Sequence, residues 1–414
     1  MKTWLRVAAI GFYIGASFAS AAAQAPTTTN LAVTFNGSAV TAVDPGSVIT
    51  LTATVMSGST PVTPGQVNFC DASVSWCTDI HLLGMAQLTA SGTATLKFVP
   101  GIGVHLIKAV FLGTNADTAS SSTVSTLTVV GTRLPWSFGS PYNWVSVPTD
   151  PAPQADVIAD LNGDGKPDLA VSIGNAGAPA SSVDVFLGNG DGTFHAAPSV
   201  PSTNATAGSI IAGDFNGDGK QDLAVVLPDV NQIQILLGNG DGTFTLGQNI
   251  SDSSRPFSIV TGDFNGDGIP DLAVVNFGGN NIVILLGKGD GTFTQAAQSP
   301  TFATGPVAAA DFTGNGILDL AVAGLGSPPF NSPTITLFAG NGNGTFTPTT
   351  DEFPYFSINS ITFGDVQNNG DVDLFAAGAG TEDVAAYLGQ QNGLFNYALV
   401  VWGGHGRFAI CRGR

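Results

Sequence analysis

Asp160-Leu161-Asn162-Gly163-Asp164-Gly165-Lys166-Pro167-Asp168 places oxygen-bearing side chains at its first, third, fifth and ninth positions and glycines at its fourth and sixth. Glycine at those two points lets the backbone curl tightly enough to aim the four side chains at one place. Carboxylate and amide oxygens gathered in this way make a cage for a hard cation. The pattern recurs at Asp214, Asn216, Asp218 and Asp222, and at Asp263, Asn265, Asp267 and Asp271. Weaker copies stand at Asp311, Thr313, Asn315 and Asp319, and at Asp365, Gln367, Asn369 and Asp373. The first aspartates of the five copies are 54, 49, 48 and 54 residues apart, a period that fits one four-stranded unit.

The third copy shows the unit. Phe257 to Gly262 is a partly alternating apolar run that leads into the Asp263 loop, and Leu272 to Asn276 is an apolar strand. Gly278-Gly279-Asn280-Asn281 turns the chain into a second apolar strand, Ile282 to Leu286. Gly289-Asp290-Gly291 makes the next turn, and Thr292-Phe293-Thr294 opens an outer strand. Four strands joined by tight turns form one sheet, and several such sheets around an axis form a β-propeller. A sandwich array and a calcium β-roll are alternatives, but β-roll repeats are far shorter than this period. An EF-hand shares the opening pattern of the loop but needs a bidentate glutamate at position 12. That position holds Val171, Val225 and Val274 in the three best copies.

Composition agrees. The formal charge is −18, yet only Glu352 and Glu382 among the 30 acidic residues are glutamate. Fourteen aspartates lie in the five loops, at the positions named and at Asp371, so the charge sits largely where cations would neutralise it. This balance argues against nucleic acid, which needs a basic surface. Abundant glycine, many Val, Ile, Thr and Phe runs and the lack of long helical periodicity favour an all-β chain.

At the N-terminus, Lys2 and Arg6 precede a mostly apolar run from Val7 to Ala19, and Ala21-Ala22-Ala23 precedes Gln24. Residues 1–23 read as a secretory signal peptide. The alternative is an uncleaved anchor, for which the run is short. The expected mature protein is secreted or held at the cell surface, has no membrane span after cleavage, and meets an oxidising, calcium-rich medium.

Residues 28–131 have a different texture, rich in Thr, Ser and Val and lacking the cation loop. Candidate strands run from Thr29 to Phe35, Ser47 to Met56, Gln66 to Phe69, Ala86 to Leu88, Thr93 to Phe98, His105 to Phe111 and Thr123 to Val130. Short strands at this spacing predict a β-sandwich. Gly65-Gln66-Val67-Asn68-Phe69 and the later Gly92-Thr93-Ala94-Thr95-Leu96 resemble the central strand pattern of bacterial immunoglobulin-like domains, which implies a spacer or adhesion module. Cys70 and Cys77 flank a short loop after Phe69. A local disulfide is expected there, since a redox or metal pair lacks both Cys-x-x-Cys spacing and supporting histidines.

Residues 132–153 read as a linker holding a first outer strand, with Trp136-Ser137-Phe138-Gly139 and Tyr142 to Val147 standing where Gly192-Thr193-Phe194 and its successors stand in the next unit. The array then occupies residues 154–414. Gly213-Asp214-Phe215-Asn216-Gly217-Asp218-Gly219-Lys220-Gln221-Asp222-Leu223-Ala224-Val225 and Leu237-Gly238-Asn239-Gly240-Asp241-Gly242-Thr243-Phe244 resemble the FG-GAP repeats, also called VCBS-type repeats, best known from the propeller of integrin α subunits. The resemblance covers about residues 154–397. It implies a propeller of about seven blades, with calcium in the loop between the first two strands of each. It further implies that the main-chain carbonyl of position seven, at Lys166, Lys220, Ile269, Ile317 and Asp371, joins the side-chain ligands. Magnesium suits a flexible ring of several carboxylates and a carbonyl less well. The Gly-Asn-Gly-Asp-Gly-Thr-Phe stretches are expected to be hairpin turns, with Phe194, Phe244, Phe293, Phe346 and Phe395 packing between blades. A second cation site in those turns is the alternative.

After Phe395 another aspartate loop is due at about residues 413–415, but the chain reads Arg407-Phe408-Ala409-Ile410-Cys411-Arg412-Gly413-Arg414. This tail has the rhythm of an opening strand, and it predicts five repeats plus a truncated sixth, hence an incomplete propeller with exposed edges. The competing expectation is a small ring completed by the Trp136 to Val147 strand.

No catalytic constellation stands out. His81, His105, His195 and His405 are scattered, with no His-Glu-x-x-His helix and no Gly-x-Ser-x-Gly elbow. His105 reads as structural and His195 as exposed. The favoured function is an exported calcium-binding module for a protein or glycan ligand. A polysaccharide-active enzyme resembling lyase propellers and a structural surface protein are the alternatives. Trp136, Tyr142, Trp144, Trp402 and His405 could form an aromatic platform for sugars.

Overall fold

The computed structural model describes residues 24–130 and 152–402, apart from 45, 64, 73–81, 115, 175–182, 199, 201–204, 253, 297–303, 326–332, 355–357, 365–370, 379–382 and 391–394. The N-terminal part folds as β1 (Thr28–Phe35), β2 (Ser38–Ala39), β3 (Ala42–Val43), β4 (Ile49–Ser57), β5 (Thr60–Pro61), β6 (Gln66–Asp71), β7 (Leu82–Gln87), β8 (Thr93–Phe98), β9 (Gly103–Phe111), β10 (Ser120–Ser121) and β11 (Ser125–Val129). One sheet runs β2-β1-β4-β5 with β8 also on β4, and the other runs β3-β11-β9-β6-β7 with β10 on β9. Strand alternation explains the pairing of the two layers. Ile49, Leu51, Ala53 and Val55 of β4 all point inward, into a core shared with Val67, Phe69, Ile107, Ala109, Phe111 and Leu127. Asn36 and Gly37, with φ of 49° and 78°, make the two-residue turn between β1 and β2. Each expected strand is present, with its ends moved by a few residues.

The second part is five four-stranded sheets, each an antiparallel meander of consecutive strands. They are β12 (Pro153–Ala159), β13 (Asp168–Ile173), β14 (Val183–Gly188) and β15 (Phe194–Ala196), then β16 (Ile210–Gly213), β17 (Asp222–Leu227), β18 (Gln232–Gly238) and β19 (Phe244–Ser251). The third sheet is β20 (Pro256–Gly262), β21 (Asp271–Asn276), β22 (Asn281–Gly287) and β23 (Phe293–Gln295). The fourth is β24 (Val307–Ala310), β25 (Asp319–Leu325), β26 (Pro333–Gly340) and β27 (Phe346–Pro354), and the fifth is β28 (Ile358–Gly364), β29 (Asp373–Gly378), β30 (Asp383–Gly389) and β31 (Phe395–Trp402).

The repeated Asp-Leu-Ala-Val-Val run becomes the second strand because both of its faces are covered, which selects an unbroken apolar sequence rather than an alternating one. Leu223 and Val225 pack on Ala170 and Val185 of the preceding sheet. Ala224 and Val226 pack on Leu272 and Val274 of the following one. Ala273 and Val275 meet Leu320 and Val322, and Ala321 and Ala323 meet Leu374 and Ala376. Each fully buried Val or Leu contributes about 1.5–3 kcal/mol, so every sheet depends on its neighbours. The molecule is therefore a β-sandwich followed by a propeller of four-stranded blades.

Among the described residues no buried cluster joins the fifth sheet to the first. The outer side of the first sheet gathers Val171, Ile173 and Phe186 with Leu169 and Phe194. The fifth sheet takes its fourth strand, β31, from its own repeat. The signal peptide at 1–23, the Trp136 to Val147 strand and the opening strand of a sixth repeat all lie outside the described residues. No helix among the described residues is long and apolar enough to cross a membrane.

Candidate metal centres

In a meander, the connection from first to second strand and that from third to fourth strand lie at the same end of the sheet. The cage loops and the Gly-Asp-Gly turns are therefore neighbours. Within the second loop, Asp214 accepts from Asp218 N at 3.1 Å and Gly219 N at 2.9 Å. Asn216 Oδ1 accepts from Asp218 N at 3.0 Å, and Asp218 Oδ1 accepts from Lys220 N at 3.0 Å. The first loop repeats these contacts at Asp160, Asn162 and Asp164, and the third at Asp263, Asn265 and Asp267. In the fourth, Asp311 accepts from Asn315 N and Gly316 N, and Asn315 accepts from Ile317 N. There Thr313 stands third and reaches Asp311 Oδ1 at 3.5 Å. Asp365, Gln367 and Asn369 of the fifth loop lie outside the described residues.

The ninth aspartate behaves differently. Asp222 is fully buried; its Oδ2 accepts from Phe215 N at 2.9 Å and its Oδ1 from Gly238 N at 2.8 Å, at the end of the third strand. Asp168 holds Leu161 N and Gly188 N, Asp271 holds Phe264 N and Gly287 N, and Asp319 holds Thr313 N and Gly340 N. Asp373 holds Gly389 N. This carboxylate clamps three segments of its sheet together. The donating glycine is obligatory, since a Cβ on Gly238 would lie 2.1 Å from Gln221 O. The clamp was not foreseen from the sequence, although the glycine that closes each third strand, after leucine in four sheets and after Ala339 in the fourth, was its visible signal.

Neighbouring sheets are joined through the same loops. Gly291 N donates to Phe215 O at 2.9 Å and Gly344 N to Phe264 O at 2.9 Å, with Gly242 N to Leu161 O at 3.2 Å. Each contact runs from the turn before the fourth strand of one sheet, Gly-Asp-Gly at Gly242 and Gly291 and Gly-Asn-Gly at Gly344, to the second residue of the preceding loop. Rings accompany two of them: Phe215 and Phe293 meet edge-on at 5.6 Å, as do Phe264 and Phe346. Phe312 and Phe395 stand 6.0 Å apart, and Phe244 lies in the core between the first and second sheets. Phe194 instead packs within the first sheet.

Burial dominates the electrostatics of the cages. It pushes Asp222 up to about 7, with Asp214 and Asp218 adding to the rise, and it pushes Asp271 up to about 8, with Asp267 and Asp263 adding. Asp160, Asp168, Asp214, Asp263 and Asp319 are raised for the same first cause. Two N–H bonds, or three at Asp168, thus leave the ninth carboxylate under-compensated for its loss of water. The cations at hand sit on the rim: Lys166 is 3.1 Å from Asp164 and Lys220 is 3.4 Å from Asp218, and Lys97 of the sandwich donates to Gly163 O. Among the described residues no three His, Cys, Asp or Glu side chains meet as a ready-made metal group, because the oxygens close on N–H groups of their own loops. The chemistry of the donor set, hard oxygens with excess negative charge, nevertheless fits a divalent cation such as calcium.

The Gly-Asp-Gly turns show the opposite electrostatics. Asp241 accepts from Thr243 N and from the Thr243 hydroxyl, at 3.0 and 2.5 Å. These two contacts hold its carboxyl below the usual carboxylate range, and Asp191 and Asp290 behave likewise. They are turn residues, as expected. His195 is exposed beside Asn189 Oδ1 at 3.1 Å, and His105 contacts Gly101 O. Cys70 is buried and disulfide-bonded, while its expected partner Cys77 lies outside the described residues, as do Trp136, Tyr142, Trp144 and His405.

The fold and these loops define an all-β protein of repeated, acid-loop blades behind an immunoglobulin-like domain. The chain belongs to the FG-GAP-like repeat family, which it matches over residues 160–225, 214–274, 263–322 and 311–376, and residues 34–130 are a bacterial Ig-like domain of group 3. Its architecture is that of a surface or binding module. Among solved structures it is similar to a protein from Lactobacillus plantarum, at 11% identity over 82% of this chain and 96% of that one, with a TM-score of 0.45. It is also similar to a functionally unknown protein from Desulfotomaculum acetoxidans DSM 771, at 13% identity over 88% and 96%, with a TM-score of 0.42. No curated protein matches the chain.

Proposed function

We propose that this chain is an exported binding module whose blades are stiffened by calcium and which holds a protein or glycan ligand at the cell exterior. The observation that carries the reading is the shared use of each acidic loop. The loop that gathers the carboxylates also receives the turn of the next blade at Leu161, Phe215 and Phe264. Asp160, Asn162, Asp164 and Asp168 would hold the first ion, and their counterparts the next two, with Asp311, Thr313, Asn315 and Asp319 a weaker fourth set. A bound divalent cation would supply positive charge where the buried carboxylates repel one another. The protein's own residues do the rest: the ninth aspartate ties the loop to the third strand, and the second residue ties it to the neighbouring blade. The signal-like N-terminus and the Ig-like domain support export and display. Calcium at the exterior is abundant enough to fill weak oxygen sites.

The test is a thermal melt of the mature protein with calcium and with a chelator, run beside a binding screen on immobilised proteins and oligosaccharides. The reading expects a higher melting temperature with calcium and calcium-dependent capture of a ligand. Equal melting in both conditions, or depolymerisation of a polysaccharide, contradicts it.

A further inference from the structure

The end of the propeller away from the acidic loops carries a group of residues that the calcium reading does not use. It lies where the turn after β17, the connection from β19 to β20 and the turn after β21 come together. Asn231 O accepts from Asp252 N at 2.8 Å and Asn231 Oδ1 from Arg255 N at 3.1 Å. Ser254 O and Arg255 O accept from Gly278 N and Phe277 N, each at 3.0 Å. Three connections are thus knitted into one corner.

Four features set this corner apart. Arg255 is the single arginine among the described residues. Its guanidinium lies over the ring of Phe277 at 5.6 Å, and among the described residues it makes no ion pair. Phe257 and Phe277 are 47% and 55% exposed and stand together, with ring centroids 6.3 Å apart. Exposed paired phenyls are a cost without a partner for their faces. Asp252 Oδ2, Asn276 Oδ1 and Asn280 Oδ1 are buried beneath the surface and accept no hydrogen bond from the protein, which marks the corner as locally strained. Finally, Asn231, Arg255 and Asn280 all have positive φ, at 54°, 56° and 50°. For arginine that is strain.

We propose that this corner is a carbohydrate-binding site that takes a pyranose unit of a glycan. The proposal rests on the binding-module reading and assigns a place and a ligand class to it. A sugar ring offers an apolar C–H face for the phenyls, and ring, hydroxyl or carboxylate oxygens for the guanidinium fork. A protein partner fits less well, because a stable protein interface needs about 1,000 Å² or more and this group is confined to three connections. Neutral and uronate sugars share the recognising chemistry, and the experiment separates them.

The test titrates the full mature chain, in calcium, with a neutral xylo-oligosaccharide and with an oligogalacturonate. Saturable binding of at least one is expected, with R255A and F277A each weakening it about tenfold, equivalent to ~1.4 kcal/mol, and V124A on the sandwich leaving it unchanged. R255K discriminates between the sugars: it abolishes the advantage of the uronate if the guanidinium grips a carboxylate as a fork, and it weakens both alike if it grips hydroxyls. R255G relieves the positive φ, so it raises the melting temperature while losing the sugar, a split that misfolding cannot produce. Binding that R255A and F277A leave untouched overturns this site and spares the binding-module reading. Capture of an immobilised peptide library that these variants abolish, with no sugar bound, overturns the ligand class. No binding of any probe overturns both.

Discussion

Chelation should reverse the way stability responds to pH. Asp222 is fully buried, and in the fold it is pushed up to about 7 from 3.8, first by burial and then, against its N–H bonds, by Asp214 and Asp218. A carboxyl with a raised folded value favours the fold fully below its unfolded value and loses that contribution as pH rises through the folded one. The window for Asp222 therefore runs from about pH 4 to pH 7, and Asp271, pushed up to about 8, extends it. At ~1.4 kcal/mol per pH unit the step from 3.8 to about 7 corresponds to about 4 kcal/mol, an upper value because buried loops relax. That is enough to lower the melting temperature by roughly 10 °C. On the proposed calcium reading, added calcium should remove the effect, because bound metal favours the ionised ligands and gains as protons leave. Melts in guanidinium at a series of pH values, with chelator and with calcium, should slope in opposite directions. D222N should make the chelator series shallower by the share of Asp222 alone, since an amide does not titrate, and leave the slope due to Asp271 and the other raised carboxyls. Parallel slopes in the two series, or a chelated protein that grows more stable towards pH 8, would refute the reasoning.

Other outcomes follow from single contacts. G238A should cost about 3 kcal/mol or more, because its Cβ would meet Gln221 O at 2.1 Å; G101A, which meets nothing within 4 Å, is the control in a urea titration. F264A removes a ring that is 1% exposed and edge-on to Phe346, and should cost about 3–5 kcal/mol, read by the same titration. D241A breaks only bonds within an exposed turn, so calcium stoichiometry should stay unchanged in a calorimeter, whereas D218A should lower it by one site.

Much of this architecture is legible in the chain. The period of the aspartate loops announces the blades, and the doubly covered Leu-Ala-Val-Val strands announce their stacking, because both signals come from short-range rules that each repeat obeys. The sandwich is legible for the same reason, through the alternation of Ile49, Leu51, Ala53 and Val55. The cages are legible in residue type but not in role. Sequence treats the ninth aspartate as one more ligand, and only the fold reveals that it also spans to the third strand, as Asp222 does to Gly238. The turn-to-loop bond from Gly291 to Phe215 crosses between repeats, so no local pattern encodes it. The corner around Arg255 was invisible for a related reason. Asn231, Phe277 and the Asp252–Arg255 connection are separate in sequence and individually ordinary, and they gain meaning from strained backbone and orphaned oxygens that appear once three connections meet.

The central claim is that the acidic loops are divalent-cation cages. It is tested most directly by calorimetric titration of calcium into chelator-stripped mature protein at neutral pH. The account predicts uptake of at least one ion by each of the loops beginning at Asp160, Asp214 and Asp263, with release of protons from the buried carboxyls. A flat titration with no heat and no proton release would contradict it.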